Sequence, residues 1–267
     1  VLGYRRGFKT ETDLIRKGIW IYSQDDAGQH FDICFAGKGL KPVLQYRIPV
    51  SRNWGACNTL KVLNDGRILV SFSNGLFWLK GKKLVRVGTL PDKSFFTINP
   101  LSGNRYAISY LNKDMWLAVS DSTDDIKPVQ PILPGVQSFY MQEDTSRHQY
   151  WVGTNKGVYL LDWHFKTIQH FDANNGLAGT YIYGLLLDND GNAWCSHQRG
   201  LSSIDARTFQ RTNYDKDDGI QDRDFNNRAF YKATDGTLYF GGVGGFNYFK
   251  PPLKSISYYD PEVYVDE

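Results

Sequence analysis

The 267-residue sequence has only three cysteines, Cys34, Cys57 and Cys195, and they are widely dispersed. That is too few for a disulfide framework and the wrong spacing for a zinc site, and a single disulfide would leave one thiol over. No run of about 18 apolar residues occurs, so no membrane-spanning helix is expected in this stretch. The opening Val1-Leu2-Gly3-Tyr4-Arg5-Arg6 lacks the charged, apolar and cleavage segments of a signal peptide, so the compartment is not legible from it. Apolar residues at helical spacing are absent over any three turns, which leaves little room for helices. The formal charge is +3, with Lys and Arg scattered along the chain. A nucleic-acid binder concentrates its basic residues on a stripe, so nucleic acid is not an expected partner. The densest run, Lys80-Gly81-Lys82-Lys83, reads as a solvated hairpin tip.

Catalytic constellations are missing as well. There is no Gly-x-Ser-x-Gly, His-Glu-x-x-His or phosphate-binding loop. Among the five histidines the nearest approach to a metal set is Asp162-Trp163-His164 with His170, which reads better as a strand edge. Asp188-Asn189-Asp190-Gly191 resembles a calcium loop, but such a loop needs six to eight oxygens and usually a distant Glu. The same place recurs as Asn64-Asp65-Gly66 and Thr234-Asp235-Gly236, so a repeated hairpin is the simpler account. The pairs Asp124-Asp125 and Asp217-Asp218 sit in turn-like stretches and read as solvated. No catalytic residue, metal or cofactor is expected.

What the sequence does have is aromatic residues, 15% of the total, and a repeat. Tyr, Phe and Trp favour pleated, half-buried surfaces and so point to strands. In the clearest copy, Leu185–Leu187 meets an Asp190-Gly191 turn, then Trp194, then Gly200-Leu201. Asp-Gly suits a tight hairpin because its central residues need positive φ. Gly191 to Gly200, Gly236 to Gly245 and Gly66 to Gly75 are each nine residues apart. Trp151, Gly153 and Gly157 form a fourth copy, with His148 in the first turn position. A fifth has Gly103 and Tyr106, with Asn112 for the second glycine, a swap that Asn tolerates. The second glycine markers, at 75, 112, 157, 200 and 245, are 37, 45, 43 and 45 residues apart. That is the length of a four-stranded propeller blade.

The expected fold is therefore all-β, a β-propeller of four-stranded antiparallel blades. Five blades are clear and a sixth is partial, a set that a seven-bladed ring would extend. Residues 1–256 form the propeller, with 1–55 matching poorly. There Gly18-Ile19-Trp20-Ile21-Tyr22 reads as a third strand, Gly39-Leu40 as a later marker, and 41–55 as an insertion. Residues 257–267 read as a linker or the first strand of a following β-sandwich.

Two segments carry a family resemblance: Trp151-Val152-Gly153-Thr154-Asn155-Lys156-Gly157-Val158, and Asp188 to Leu201, where Cys195, Ser196 and His197 replace small residues. Both resemble the propeller repeats of bacterial two-component regulators. Phe225-Asn226, Tyr239-Phe240-Gly241-Gly242 and Gly245 to Pro251 resemble their final repeat. The resemblance implies the periplasmic sensor of an inner-membrane histidine kinase, commonly the hybrid type of gut Bacteroidetes. It also implies an oligosaccharide ligand, an adjoining β-sandwich, a membrane-anchored kinase and a homodimeric receptor.

Trp151 and Trp194 share one place in the repeat, so they are expected to pack between blades rather than to carry sugar. The residues starting each innermost strand should rim the channel mouth. Eight residues before each first turn position lie Asn58, Phe95, Tyr140, Tyr183 and Arg228; ten before lie Ala56, Lys93, Ser138, Tyr181 and Asn226. Aromatics, amides and an arginine suit a ligand with flat apolar faces and polar edges, as sugars have. The expected ligand residues are Tyr140, Tyr181, Tyr183, Asn226 and Arg228. Two other readings stay open: a glycan-active propeller lyase or hydrolase, and a structural scaffold that binds nothing small.

Overall fold

The aspartate that ends an apolar run is what turns the chain. Asp188 accepts the backbone N–H groups of Asp190 and Asn192 on one oxygen, both at 2.9 Å. Its other oxygen accepts Asn192 Nδ2 at 3.0 Å and Trp194 Nε1 at 3.1 Å. Both oxygens are occupied by N–H donors, so the motif is an Asx-type turn that also pins the tryptophan. Asp144 does the same work, accepting Ser146 and Arg147. Each turn reverses an inner strand onto its neighbour and starts an antiparallel sheet.

The structure, a computed structural model, describes residues 9–13, 16–25, 27–37, 41, 43–63, 65–88, 90, 95–111, 114–252 and 257–259. They divide into two compact units, Val1–Ile132 and Leu133–Glu267. In the first unit, blade 1 comprises β1 (Lys9–Asp13), β2 (Gly18–Gln24), β3 (His30–Ala36) and β4 (Val43–Pro49). Blade 2 comprises β5 (Cys57–Val62), β6 (Ile68–Phe72), β7 (Gly75–Lys80) and β8 (Lys83–Arg86). Blade 3 comprises β9 (Phe95–Pro100), β10 (Arg105–Tyr110), β11 (Met115–Ser120) and β12 (Ile126–Ile132).

In the second unit, blade 4 is β13 (Ser138–Asp144), β14 (Gln149–Thr154), β15 (Gly157–Asp162) and β16 (Thr167–Phe171). Blade 5 is β17 (Ile182–Leu187), β18 (Ala193–His197), β19 (Gly200–Ile204) and β20 (Arg211–Tyr214). Blade 6 is β21 (Phe225–Lys232), β22 (Leu238–Gly242), β23 (Gly245–Phe249) and β24 (Ser257–Tyr259). Every sheet pairs its strands in chain order, all antiparallel. The fold is a six-bladed β-propeller, and helix among the described residues is limited to three single turns of 3-10 type.

Gly75, Gly157, Gly200 and Gly245 each open the third strand of a blade, opposite the last residue of the second. The repeat is thus structural. Blade 1 differs from expectation: Gly18–Gln24 is a second strand, and Val43–Pro49, inside the stretch expected to be an insertion, is the outer strand. Ser257–Tyr259 pairs with β23, so the last blade runs past the boundary expected at 256. Asn64, Lys93, Asn112, Gly39-Leu40 and 260–267 lie outside the described residues. The Lys80–Lys83 run is a hairpin tip as expected, with Lys80 opposite Lys83. Asp124 is not merely solvated: it takes Arg67 at 2.6 Å and Lys80 at 2.7 Å, while its carbonyl accepts Trp78 Nε1. It clamps blade 3 to blade 2.

A four-stranded blade has two apolar faces, and the core lies between blades. Leu69, Leu76 and Trp78 of blade 2 pack with Phe95, Ile98, Tyr106 and Ile108 of blade 3. Leu186, Trp194 and Leu201 of blade 5 pack with Leu238, Phe240 and Phe249 of blade 6. Each large apolar side chain so buried contributes about 1.5–3 kcal/mol. Trp151 and Trp194 occupy equivalent places, stacking on Phe171 and Tyr214 of their own outer strands at 5.8 and 5.6 Å. Trp194 also reaches Phe249 of the next blade at 4.7 Å.

In blade 4 the third-strand glycine is constrained twice over. At Gly157 φ is +110°, and a Cβ would lie 2.0 Å from the carbonyl oxygen of Phe171. Gly157→Ala should therefore cost about 2–3 kcal/mol, lowering the melting temperature by roughly 5–10 °C. Gly81→Ala, where φ is +57° and nothing lies within 4 Å, should cost only about 1 kcal/mol. Thermal denaturation of both variants tests this; equal losses would refute the steric account.

Candidate functional site

The innermost strands start with an irregularity that recurs. In β13, Ser138 pairs with Thr154 and Tyr140 with Gly153, so Phe139 is extra. In β17, Ile182 pairs with His197 and Gly184 with Ser196, leaving Tyr183 extra. In β5 and β9 the extra residues are Asn58 and Phe96. β21 bulges most: Asn226 to Ala229 stand opposite Gly241 alone, between the pairs Phe225–Gly242 and Phe230–Phe240. A Cβ on Gly241 would meet Ala229 Cβ at 3.0 Å, so glycine makes room for the bulge. Bulges re-aim side chains at barrel rims and active sites.

In the second unit the three bulged strands converge. A Cβ at Gly153 would lie 2.8 Å from Ile182, and one at Gly184 2.5 Å from Phe230. Glycine therefore lets β14 of blade 4 come close to β17 of blade 5, and β17 close to β21 of blade 6. Tyr181 packs on Phe139 at 4.9 Å and on Tyr183 at 5.5 Å, and remains 37% exposed. Tyr140 meets the edge of Phe230 at 4.9 Å, and its hydroxyl donates to Asn227 Oδ1. Burial pushes the Tyr140 phenol well above its ordinary value, opposed by the nearby charge and hydrogen bonding of Arg228. Arg228 adopts φ +70° within the bulge. Left-handed backbone at a charged residue stores strain that clusters at functional sites. Asn226 is exposed on the same bulge.

The structure thus brings Tyr140, Tyr181, Tyr183 and Arg228 together, with Asn226 beside them on β21. Tyr140, however, is buried at 3% exposure and is a support rather than a rim residue. Ser138 and Phe95 are buried as well. Asn58 is taken up by the Phe95 carbonyl at 2.6 Å, and Ala56 is exposed. Three polar residues escaped the sequence reading: Asn227, Gln198 and Arg199. Gln198 and Arg199 form the two-residue turn before Gly200, and Gln198 Oε1 accepts the Tyr181 N–H at 3.3 Å. Their only signal was a place just ahead of the glycine marker. Beside them opens a cavity of about 520 Å³, lined by Gln198, Arg199, Asn213, Tyr214, Asp215 and Arg223.

His197, the departure from the repeat, stands where blade 4 has Thr154. Thr154 Oγ1 accepts the N–H two residues on, from Lys156, at 2.9 Å. His197 Nδ1 likewise accepts the Arg199 N–H at 3.2 Å. That acceptor role puts the imidazole proton on Nε2, which donates to Ser202 Oγ at 2.7 Å. Ser202 in turn donates to Asn213 Oδ1 at 2.6 Å, and Asn213 Nδ2 donates to the Gly176 carbonyl at 3.0 Å. The chain of donors runs away from His197, so Ser202 is not activated by a base, as nucleophilic catalysis would need. Burial holds the imidazole down at about 4. Cys195 is buried, its thiol pushed up to about 12 by desolvation, and none of the three cysteines is in a disulfide.

No family profile matches the chain. Histidine kinase P4 of Formosa agariphila is 31% identical over 100 residues, which is 38% of this chain and 7% of that protein. Among solved structures, the chain is similar to an extracellular domain assigned to a hybrid two-component system of B. thetaiotaomicron. The TM-score is 0.70 at 18% identity, over 94% of this chain and 40% of that one. A catalytically inactive H270A virginiamycin B lyase from Staphylococcus aureus shares the fold at TM-score 0.65 and 11% identity, over 95% and 88% of the two chains. The chain spans well under half of both the kinase and the two-component domain.

The state of His197 sets a pH dependence. Its folded value is about 4, against about 6.5 when unfolded, so the unfolded chain takes up the proton first as pH falls. Stability from this group is present above pH 6.5 and lost down to pH 4, by about 3 kcal/mol in all. Urea denaturation between pH 7.5 and 4.5 should show that loss. His197→Thr, which keeps the turn acceptor but does not titrate, should show a flatter profile. Parallel profiles would refute the assignment.

Proposed function

We propose that this chain is the ligand-sensing propeller of a two-component receptor, with its site where the bulged strands of blades 4, 5 and 6 begin. The observation that carries the reading is the convergence of Tyr181, Tyr183 and Arg228, with Asn226 on the same bulge. Half-exposed tyrosines offer flat faces, and the amide and guanidinium offer directed donors, a combination suited to an oligosaccharide. Tyr140 supports the cluster from beneath. The fold shared with an extracellular two-component domain, and the local identity with a histidine kinase, support the receptor class. On this reading the propeller is periplasmic, in a membrane-anchored, homodimeric kinase receptor with a β-sandwich following.

Sensing without turnover is favoured over the lyase alternative by the protonation states near the site. Tyr140 is held neutral by burial, and His197 donates to Ser202 rather than accepting from it. Neither is poised as a general base.

Calorimetry against a panel of oligosaccharides tests the site. Truncating a central aromatic or arginine typically costs about 2 kcal/mol, roughly a thirtyfold loss of affinity. Tyr183→Ala and Arg228→Ala should each show such a loss, whereas Asp190→Ala, in the hairpin at the opposite end of blade 5, should not. Equal affinities for the three variants would move the site elsewhere. Cleavage of any panel member, abolished by a site substitution, would overturn the reading of sensing without turnover.

A further inference from the structure

The cavity beside Tyr181 has an unusual hydrogen-bond inventory. Asn213 Oδ1 is taken by Ser202 Oγ and by the Ala178 N–H, at 2.6 and 3.0 Å. One of its two amide hydrogens is taken by Gly176. Gln198 Oε1 is taken by the Tyr181 N–H, leaving its amide NH2 as the unused end. The guanidinium groups of Arg199 and Arg223 have no hydrogen-bond or ion-pair partner among the described residues, and both are exposed. Asp215 is the one carboxylate in the lining, and it accepts the Asp217 N–H at 2.9 Å in a reciprocal capping box with Asp218. Asp222, nearby in sequence, is paired with Lys216 at 3.1 Å.

The side chains here therefore present donors in excess, while the amide oxygens are already engaged. A hydroxyl-rich neutral ligand brings donors of its own and would leave them poorly matched. An oxyanion brings acceptors alone, and a guanidinium pairs with carboxylate or sulfate through two parallel bonds. We propose that this cavity binds the carboxylate or sulfate group of an acidic saccharide. The assignment rests on the sensing reading above and extends it, since Gln198 joins the cavity to the tyrosine cluster. The sugar rings would lie on Tyr181 and Tyr183, with the anionic group between Arg199 and Arg223.

Calorimetry on the purified chain with three probes tests it: trigalacturonate, its fully methyl-esterified form, and a sulfated galactose trisaccharide. At least one acidic probe should bind tenfold or more tightly than the ester, weakening as salt rises. Which acidic probe binds distinguishes carboxylate from sulfate. The Arg199→Gln/Arg223→Gln variant, checked for an unchanged melting temperature, should lose at least tenfold for the acidic probe and nothing for the ester. Equal binding of acid and ester, or an acid affinity untouched by the double substitution, would overturn the anionic site and leave saccharide sensing standing. Loss of ester binding in Tyr183→Ala would confirm that separation. Failure of all three probes to bind would refute the anionic site, and failure of the wider neutral panel with them would refute sensing too.

Discussion

The close approach of neighbouring blades is the constraint on which the second unit depends. It exists because Gly153 and Gly184 present no Cβ to Ile182 and Phe230. A single methyl group at either place would push two blades apart. The apolar faces that bury Trp194, Leu238 and Phe240 would then part, and the bulged residues would no longer meet. The packing between blades and the meeting of the bulged residues are in this sense set by the same two glycines.

The turns hold that geometry from outside. Asp144 orders Arg147, whose guanidinium reaches the Asp190 carbonyl of the next blade at 2.8 Å. A Cβ on Gly191 would sit 2.1 Å from that guanidinium, so the Asp-Gly turn is shaped for its neighbour as well as for itself. On the other side of the blade, the loops between blades are tied by side-chain amides. Asn213 holds Gly176 and Ala178, while Asn247 holds Gly219 and Gln221.

These devices were legible in the sequence wherever backbone geometry demanded a particular residue. Positive φ at Gly66, Gly157, Gly191, Gly200, Gly236 and Gly245 wrote the repeat directly. Blade 1 was not legible because its Asp-Gly turn falls one hairpin later. Asp25 caps the link between β2 and β3, accepting Gln29 and His30, while Lys17 takes the positive φ at the first hairpin. Gly18 therefore looked like the start of a third strand. The rim was misaligned for a similar reason. The first hairpin of blade 4 has four residues between its strands and that of blade 5 has five, so a fixed count from the turn landed on Tyr140 when the bulge is at Phe139. The polar residues of the cavity carried no pattern, because a two-residue turn accepts almost any side chain ahead of its glycine.

A bulged residue stands outside the register of its own ladder. Asn58, Phe96, Phe139 and Tyr183 occupy that place in four blades, an amide beside two phenyl rings and a phenol, with the same ladder closing around each. The side chain at that position can therefore change from blade to blade without altering the ladder hydrogen bonds that let each blade fold. In four inner strands one position is thus set by what surrounds it rather than by the register of its own sheet.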